Sequence, residues 1–72
     1  MATTAKMMVA RKESAGDGQT QLTFTADYAD GRNKQWAKYT PYAQLVMTVL
    51  DEVAERFEPG QPLLITIEPA QD

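Results

Sequence analysis

The feature that most constrains the fold is the stretch Gln19–Tyr28, in which apolar and polar side chains alternate. Leu22, Phe24, Ala26 and Tyr28 are each separated by one polar residue. A repeat of two residues places alternate side chains on opposite faces of a strand. The sequence therefore predicts a β-strand with one face in the core and the other in solvent.

A second strand is expected just before it, over Thr4–Ser14, around a short apolar run from Met7 to Ala10. The two stretches are separated by a turn signal, Ala15-Gly16-Asp17-Gly18. Glycine reaches positive φ without steric cost, as tight turns require. We therefore expect a β-hairpin.

The chain has 72 residues and contains neither cysteine nor histidine. Disulfides, thiolate or imidazole zinc sites and Ser/His/Asp or Cys/His catalysis are thereby excluded. A chain of this length buries only about 60% of its unfolded surface, and a partner subunit often supplements so small a core. We expect one domain over residues 1–72, not an enzyme, without cofactor or metal, and with a homo-oligomer as an open alternative.

Charge is distributed unevenly along the chain. Through Thr40 there are six bases and four acids, whereas from Pro41 onward there is one base and six acids. This asymmetry indicates two functional faces, head-to-tail self-association or simply scattered solvated charge. No apolar stretch approaches the ~18 residues that span a bilayer. The apolar N-terminus is interrupted by Arg11 and Lys12, unlike a secretory signal. We expect a cytoplasmic protein that does not bind membranes.

Residues 40–57 fit two structures. A helix is favoured by apolar residues at helical spacing, by Thr40 and Pro41 as a start and by Pro59-Gly60 as a stop. A strand over Gln44–Leu50 is favoured by alternation and by β-branched residues, with a helix only from Asp51. The apolar residues at helical spacing are Tyr42, Leu45, Val46, Val49, Leu50, Val53 and Phe57.

Two further segments complete the predicted fold. Asp30-Gly31 indicates a turn, after which an extended segment would place Lys34, Trp36 and Lys38 on one side. Pro62–Pro69 is predicted as a final strand, centred on Leu63 to Ile67. The expected class is α+β: a small antiparallel sheet of three to four strands with one helix, ending near Phe57, packed on it.

The second half resembles small uncharacterised proteins of tailed bacteriophages over residues 33–70. The resemblance is carried by Asn33-Lys34-x-Trp36-x-Lys38-x-Thr40-Pro41, Leu45-x-Met47-Thr48-Val49, Phe57-x-Pro59-Gly60 and the closing Pro69-Ala70. It implies a β-rich protein with a strand after Thr-Pro and a helix that starts late, although Tyr42-Ala43 replaces the small residues common there. It implies no catalytic residues. It places the protein in the host cytoplasm, where such proteins bind a host protein, a nucleic acid or a signalling molecule.

The richest candidate binding segment is Arg32–Tyr42, which interleaves bases with aromatic rings. Such a pattern suits stacked bases and phosphates, and also protein interfaces. The alternative is that Trp36 fills the core with its N–H bonded to a backbone carbonyl. The predicted contact residues are Arg32, Lys34, Trp36, Lys38 and Tyr39.

The leading functional hypothesis is a non-enzymatic phage accessory protein that inhibits or sequesters a host target, either a protein or a nucleotide signal. The first alternative is a module that binds single-stranded nucleic acid. The second is a minor structural virion protein with the acidic back half as its assembly face. The carboxylates of Asp51, Glu52 and Glu55 are expected on an exposed helix face rather than in a catalytic pair.

Overall fold

The computed structural model describes residues 2–70, which form a four-stranded antiparallel sheet. One short α-helix accompanies the sheet, so the predicted antiparallel sheet with a single helix is confirmed in outline, but the protein is mostly β. The elements are β1 (Thr3–Gly16), β2 (Gln19–Ala26), β3 (Gln44–Leu50), α1 (Asp51–Ala54) and β4 (Pro62–Ile67). The strands lie in the order β3-β2-β1-β4, and a 3₁₀ helix, Gly31–Gln35, lies between β2 and β3 along the chain.

The predicted hairpin of β1 and β2 is confirmed. Its turn has positive φ at Asp17 (57°) and Gly18 (76°), as a type I′ hairpin turn requires at both central residues. Gly16 and Gln19 pair across the turn. β1 extends slightly beyond the predicted Thr4–Ser14 at both ends.

Cross-strand pairing brings apolar residues from each of the four strands onto one face, which we call the core-side face. Val9 pairs with Phe24, Phe24 with Leu45, and Met7 with Leu63. Directly paired residues share a face because side chains alternate along each strand. The buried apolar residues on this face are Ala5, Met7, Val9, Leu22, Phe24 and Ala26.

Tyr28 does not extend this row, contrary to prediction. β2 ends at Ala26 and Tyr28 is 60% exposed. The chain leaves the sheet after Asp27 because Asp27 begins a turn: its side chain accepts from the N–H of Ala29 (3.1 Å) and its carbonyl from the N–H of Asp30 (3.3 Å).

A bulge in β1 brings a basic side chain onto the core-side face. The register with β2 shifts between Val9 and Arg11, so that Lys12 pairs with Leu22. A bulge inserts one residue and reverses the facing of those that follow. The ammonium of Lys12 donates to the carbonyl of Phe57 (3.0 Å), which leaves its aliphatic stem along the apolar surface.

Of the two alternatives for residues 40–57, the structure shows the strand over Gln44–Leu50 with a helix only from Asp51. Gln44–Leu50 is a strand because β2 pairs with it along its whole length, a non-local contact that outweighs helical periodicity. α1 begins at Asp51 and ends at Ala54, short of the predicted Phe57. Ala54 is 1% exposed within the core, and the ring of Phe57 meets that of Phe24 edge-on at 5.8 Å.

The extended alternative for the segment after Asp30-Gly31 is not what the structure shows, because Gly31–Gln35 form the 3₁₀ helix. Asp30 caps the 3₁₀ helix, because its side chain accepts from the N–H of Arg32. Lys34 and Trp36 therefore do not alternate along a strand. The predicted final strand is confirmed as β4, preceded by a turn in which Gly60 (φ 86°) donates to the carbonyl of Val9 at 2.7 Å.

Candidate binding site in the loop between β2 and β3

The longest connection in the described chain is the β2–β3 loop, residues 27–43. Neighbouring antiparallel strands are usually joined by two to five residues, and longer loops are often functional. All five predicted contact residues lie in this loop. It is the region from which a binding site would be built.

Asn33 fixes the loop to the sheet. It is 0% exposed, and its carboxamide pairs with both backbone groups of Lys6: Oδ1 accepts from the N–H (2.7 Å) and Nδ2 donates to the carbonyl (2.8 Å). Nδ2 also donates to the carbonyl of Asp27 (2.9 Å). The side chain thus continues the β1 ladder where β2 has left it, which satisfies buried backbone groups.

Asp30 neutralises the first predicted contact residue. The guanidinium of Arg32 donates to both carboxylate oxygens of Asp30, at 3.0 and 2.8 Å, and Lys6 approaches the same carboxylate at 3.3 Å. Chiefly through the side-chain hydrogen bond from Arg32, then the one from its backbone N–H, the pKa of Asp30 lies well below its ordinary range. The same pairing raises the pKa of Arg32. Arg32 is therefore already committed to a partner within the loop.

Trp36 packs against the core while remaining half-buried. Among the described residues its Nε1 is buried without a hydrogen-bond partner, so the carbonyl expected for this N–H is not found there. The indole borders a cleft of about 250 Å³. The other residues that line the cleft are Ala2, Thr3, Thr4 and Gln35.

The remaining predicted contact residues are exposed. Tyr39 is 79% exposed, and the ammonium of Lys38 lies 5.4 Å from the centroid of its ring, within range of a cation–π contact. Lys34 is exposed on the 3₁₀ helix. Tyr28 and Tyr42 add two further exposed rings, at 60% and 73%, which the sequence analysis did not count as contacts. For Tyr42 the signal was its place at the end of the segment Arg32–Tyr42, whereas Tyr28 was predicted to lie on the core face of the second strand.

A second surface feature lies on the core-side face. α1 and Phe57 leave part of the sheet uncovered, and an apolar groove of about 360 Å³ remains beside them. The groove crosses from β3 to β4 over the ring of Phe24. Its lining residues are Phe24, Leu45, Met47, Phe57, Leu63, Leu64 and Ile65.

The part of the chain that the structure describes has no group of three acidic side chains that could hold a metal ion. No helix within residues 2–70 is long and apolar enough to cross a membrane. Comparison with protein-family models, with curated proteins and with solved structures finds no match. Within residues 2–70, the β2–β3 loop and the apolar groove are thus the candidate binding surfaces.

Proposed function

We propose that this chain is a non-enzymatic binding protein that recognises a protein partner through the β2–β3 loop. In the setting that the resemblance to phage accessory proteins implies, the partner is a host protein that the chain inhibits or sequesters. The supporting observation is that the inner and outer sides of the loop make different contacts. Asn33 and Trp36 hold its inner side to the sheet, while Lys34, Lys38 and Tyr39 extend into solvent.

A loop held in this way is suited to tight binding. Ordering an interface side chain on association costs about 0.5–1.5 kcal/mol, and a loop that is already fixed avoids part of that cost. Tyrosine offers a large contact area with few rotatable bonds, which makes it effective at interfaces. Tyr28, Tyr39 and Tyr42 each expose more than half of their surface in this loop.

The charges of the loop favour a protein over a nucleic acid. Arg32 is paired with Asp30, which leaves Lys34 and Lys38 as the loop bases without an ion pair among the described residues. Binding to single strands weakens with salt by a logarithmic slope of about 0.7 per neutralised phosphate. Two lysines would give a slope of only about 1.4, too few contacts for strong electrostatic binding.

The test is capture from a bacterial host lysate on the immobilised chain, followed by titration calorimetry with the captured protein. The double variant Lys38→Ala, Tyr39→Ser should lose at least tenfold in affinity, because both side chains are exposed and neither contributes to the core. Trp36 is unsuitable for this purpose since its removal also disturbs packing. The matched control is Glu52→Ala, Glu55→Ala, a pair of exposed residues at α1, which should bind as the parent does.

Equal binding by the loop variant and the parent would refute the site. If no captured protein binds the chain in calorimetry, the proposed function is refuted. Binding of a fluorescent oligonucleotide with a salt slope well above 1.4, lost in the same loop variant, would establish the nucleic-acid alternative instead.

A further inference from the structure

The sheet of this protein has a core-side face that its own chain covers only in part. α1 has four residues, and its one fully buried side chain is Ala54. Beside it the groove exposes Leu45 (37%) and Met47 (44%) of β3 to solvent. Domains are normally built from two packed layers because an apolar sheet face has to be covered. Here the second layer is incomplete.

The solvent-exposed area of the chain indicates how much surface a covering layer would bury. The chain exposes 5375 Å², and its smallest principal extent is 16 Å. A compact monomer of 8.0 kDa would expose about 4,450 Å². The difference, 5375 minus about 4,450, is roughly 900 Å². Each partner in a standard protein interface buries about 800 Å², so the excess matches one subunit's share of a dimer.

The composition of this surface is compatible with a second copy. Neither edge strand, Gln44–Leu50 or Pro62–Ile67, contains a charged residue. Natural sheets commonly place lysine on edge strands to prevent association. Lys12 shares the core-side face with the groove, but its ammonium is bonded to the carbonyl of Phe57. Two copies would therefore meet without bringing unpaired like charges into contact at the groove.

We propose that a second copy of this chain packs its core-side face against the apolar groove, which gives a two-layer homodimer. Met47 and Leu45 of each copy lie in the contact, and the second copy covers the part of the core-side face that this chain leaves open. The β2–β3 loop binds its own partner by different residues. The proposed dimer therefore does not depend on the proposed function.

Sedimentation velocity of the full chain between about 5 and 500 μM tests this. We expect a species of twice 8.0 kDa to grow with concentration. Met47→Lys should raise the dimer dissociation constant at least tenfold, because it puts a charge into the contact. The matched control is Thr48→Lys, which adds the same charge to the same strand on the opposite face, since Thr48 pairs with Gln21 rather than with a core-side residue. This variant should dimerise as the parent does.

A monomeric parent at 500 μM, or a dimer that persists in Met47→Lys, would overturn the proposal. So would a loss of the dimer in both variants, because that pattern indicates pairing of β3 edges rather than packing of faces. Circular dichroism verifies that each variant is folded. If Met47→Lys unfolds, Leu45→Gln provides the same measurement from a less disruptive change on the same face.

Discussion

The carboxamide of Asn33 takes the place of a strand residue opposite Lys6. It accepts from the backbone N–H of Lys6 at 2.7 Å and donates to its carbonyl at 2.8 Å, across 27 positions of sequence. These two contacts join the middle of the β2–β3 loop to the inner strand β1. The geometry of the loop, and with it the candidate binding site, depends on this one side chain.

Asn33→Ala should lower the free energy of unfolding by about 2–3 kcal/mol, because it leaves the part-buried N–H of Lys6 without its partner. Asn33→Asp should cost more at neutral pH, since a carboxylate oxygen would then face the carbonyls of Lys6 and Asp27. Urea unfolding followed by circular dichroism measures both. The control, Lys34→Ala on the exposed side of the same 3₁₀ helix, should change stability by no more than about 0.5 kcal/mol. Equal effects at the two positions would show that the side chain of Asn33 is not structural.

Asp30 should make stability depend on pH. Its pKa in the folded protein is lowered from the ordinary 3.8, first through the side-chain hydrogen bond from Arg32. The unfolded chain therefore binds this proton at a higher pH than the folded protein does, so acid favours unfolding. The stabilising contribution is fully present above about pH 5 and is lost progressively as the pH falls through 4 towards the lowered pKa.

Asp30→Asn isolates this charge because asparagine caps a helix as well as aspartate does. Urea midpoints of the parent and the variant should differ most above pH 5, and the difference should narrow steadily as the pH falls from 4 to 2. Arg32→Gln removes the main cause of the shift and should flatten the pH profile in the same way. A constant difference between parent and Asp30→Asn across this range would contradict the assignment.

Period-two patterning predicted the parts of the fold that local sequence decides. The β1–β2 hairpin and β4 follow from alternation and from turn glycines, which act over a few residues. Residues 44–50 satisfied both helical and strand spacing, and only pairing with β2, far away in sequence, selects the strand. The 3₁₀ helix was missed although Asp30 and Arg32 stand two residues apart, the spacing of a side-chain cap.

The sequence singles out residues 32–42 by their bases and rings, and these residues lie together in the β2–β3 loop. The contacts that each side chain makes there did not follow from the sequence. That Arg32 is neutralised follows only from the geometry of its contact with Asp30. Nor does the sequence show that Asn33 is fully buried, because its partner Lys6 belongs to the first strand.

Trp36 should tolerate phenylalanine far better than alanine. Trp36→Ala removes packing against the core and should cost about 2–4 kcal/mol. Trp36→Phe keeps a ring and also removes an N–H whose burial without a partner costs about 1–3 kcal/mol, so its net cost should stay below about 1 kcal/mol. Trp36 is the only tryptophan, so both variants are followed by circular dichroism instead of fluorescence. Similar losses in the two variants would mean that the indole N–H is bonded after all.

Substitution of Gly18, in the turn between β1 and β2, tests backbone strain separately from packing. Gly18 has φ of +76°, and a Cβ built there meets nothing within 4 Å, so Gly18→Ala tests conformation alone. A left-handed backbone costs an L-residue roughly 1–2 kcal/mol, which is the expected loss in urea unfolding.

The control is Gly31→Ala, where the space is equally open and φ is not in the left-handed region. Because alanine lowers the entropy of the unfolded chain, Gly31→Ala should be neutral or stabilising by up to about 1 kcal/mol. If both substitutions destabilise the protein equally, the turn does not require positive φ, and the register of the hairpin must be set by its strands.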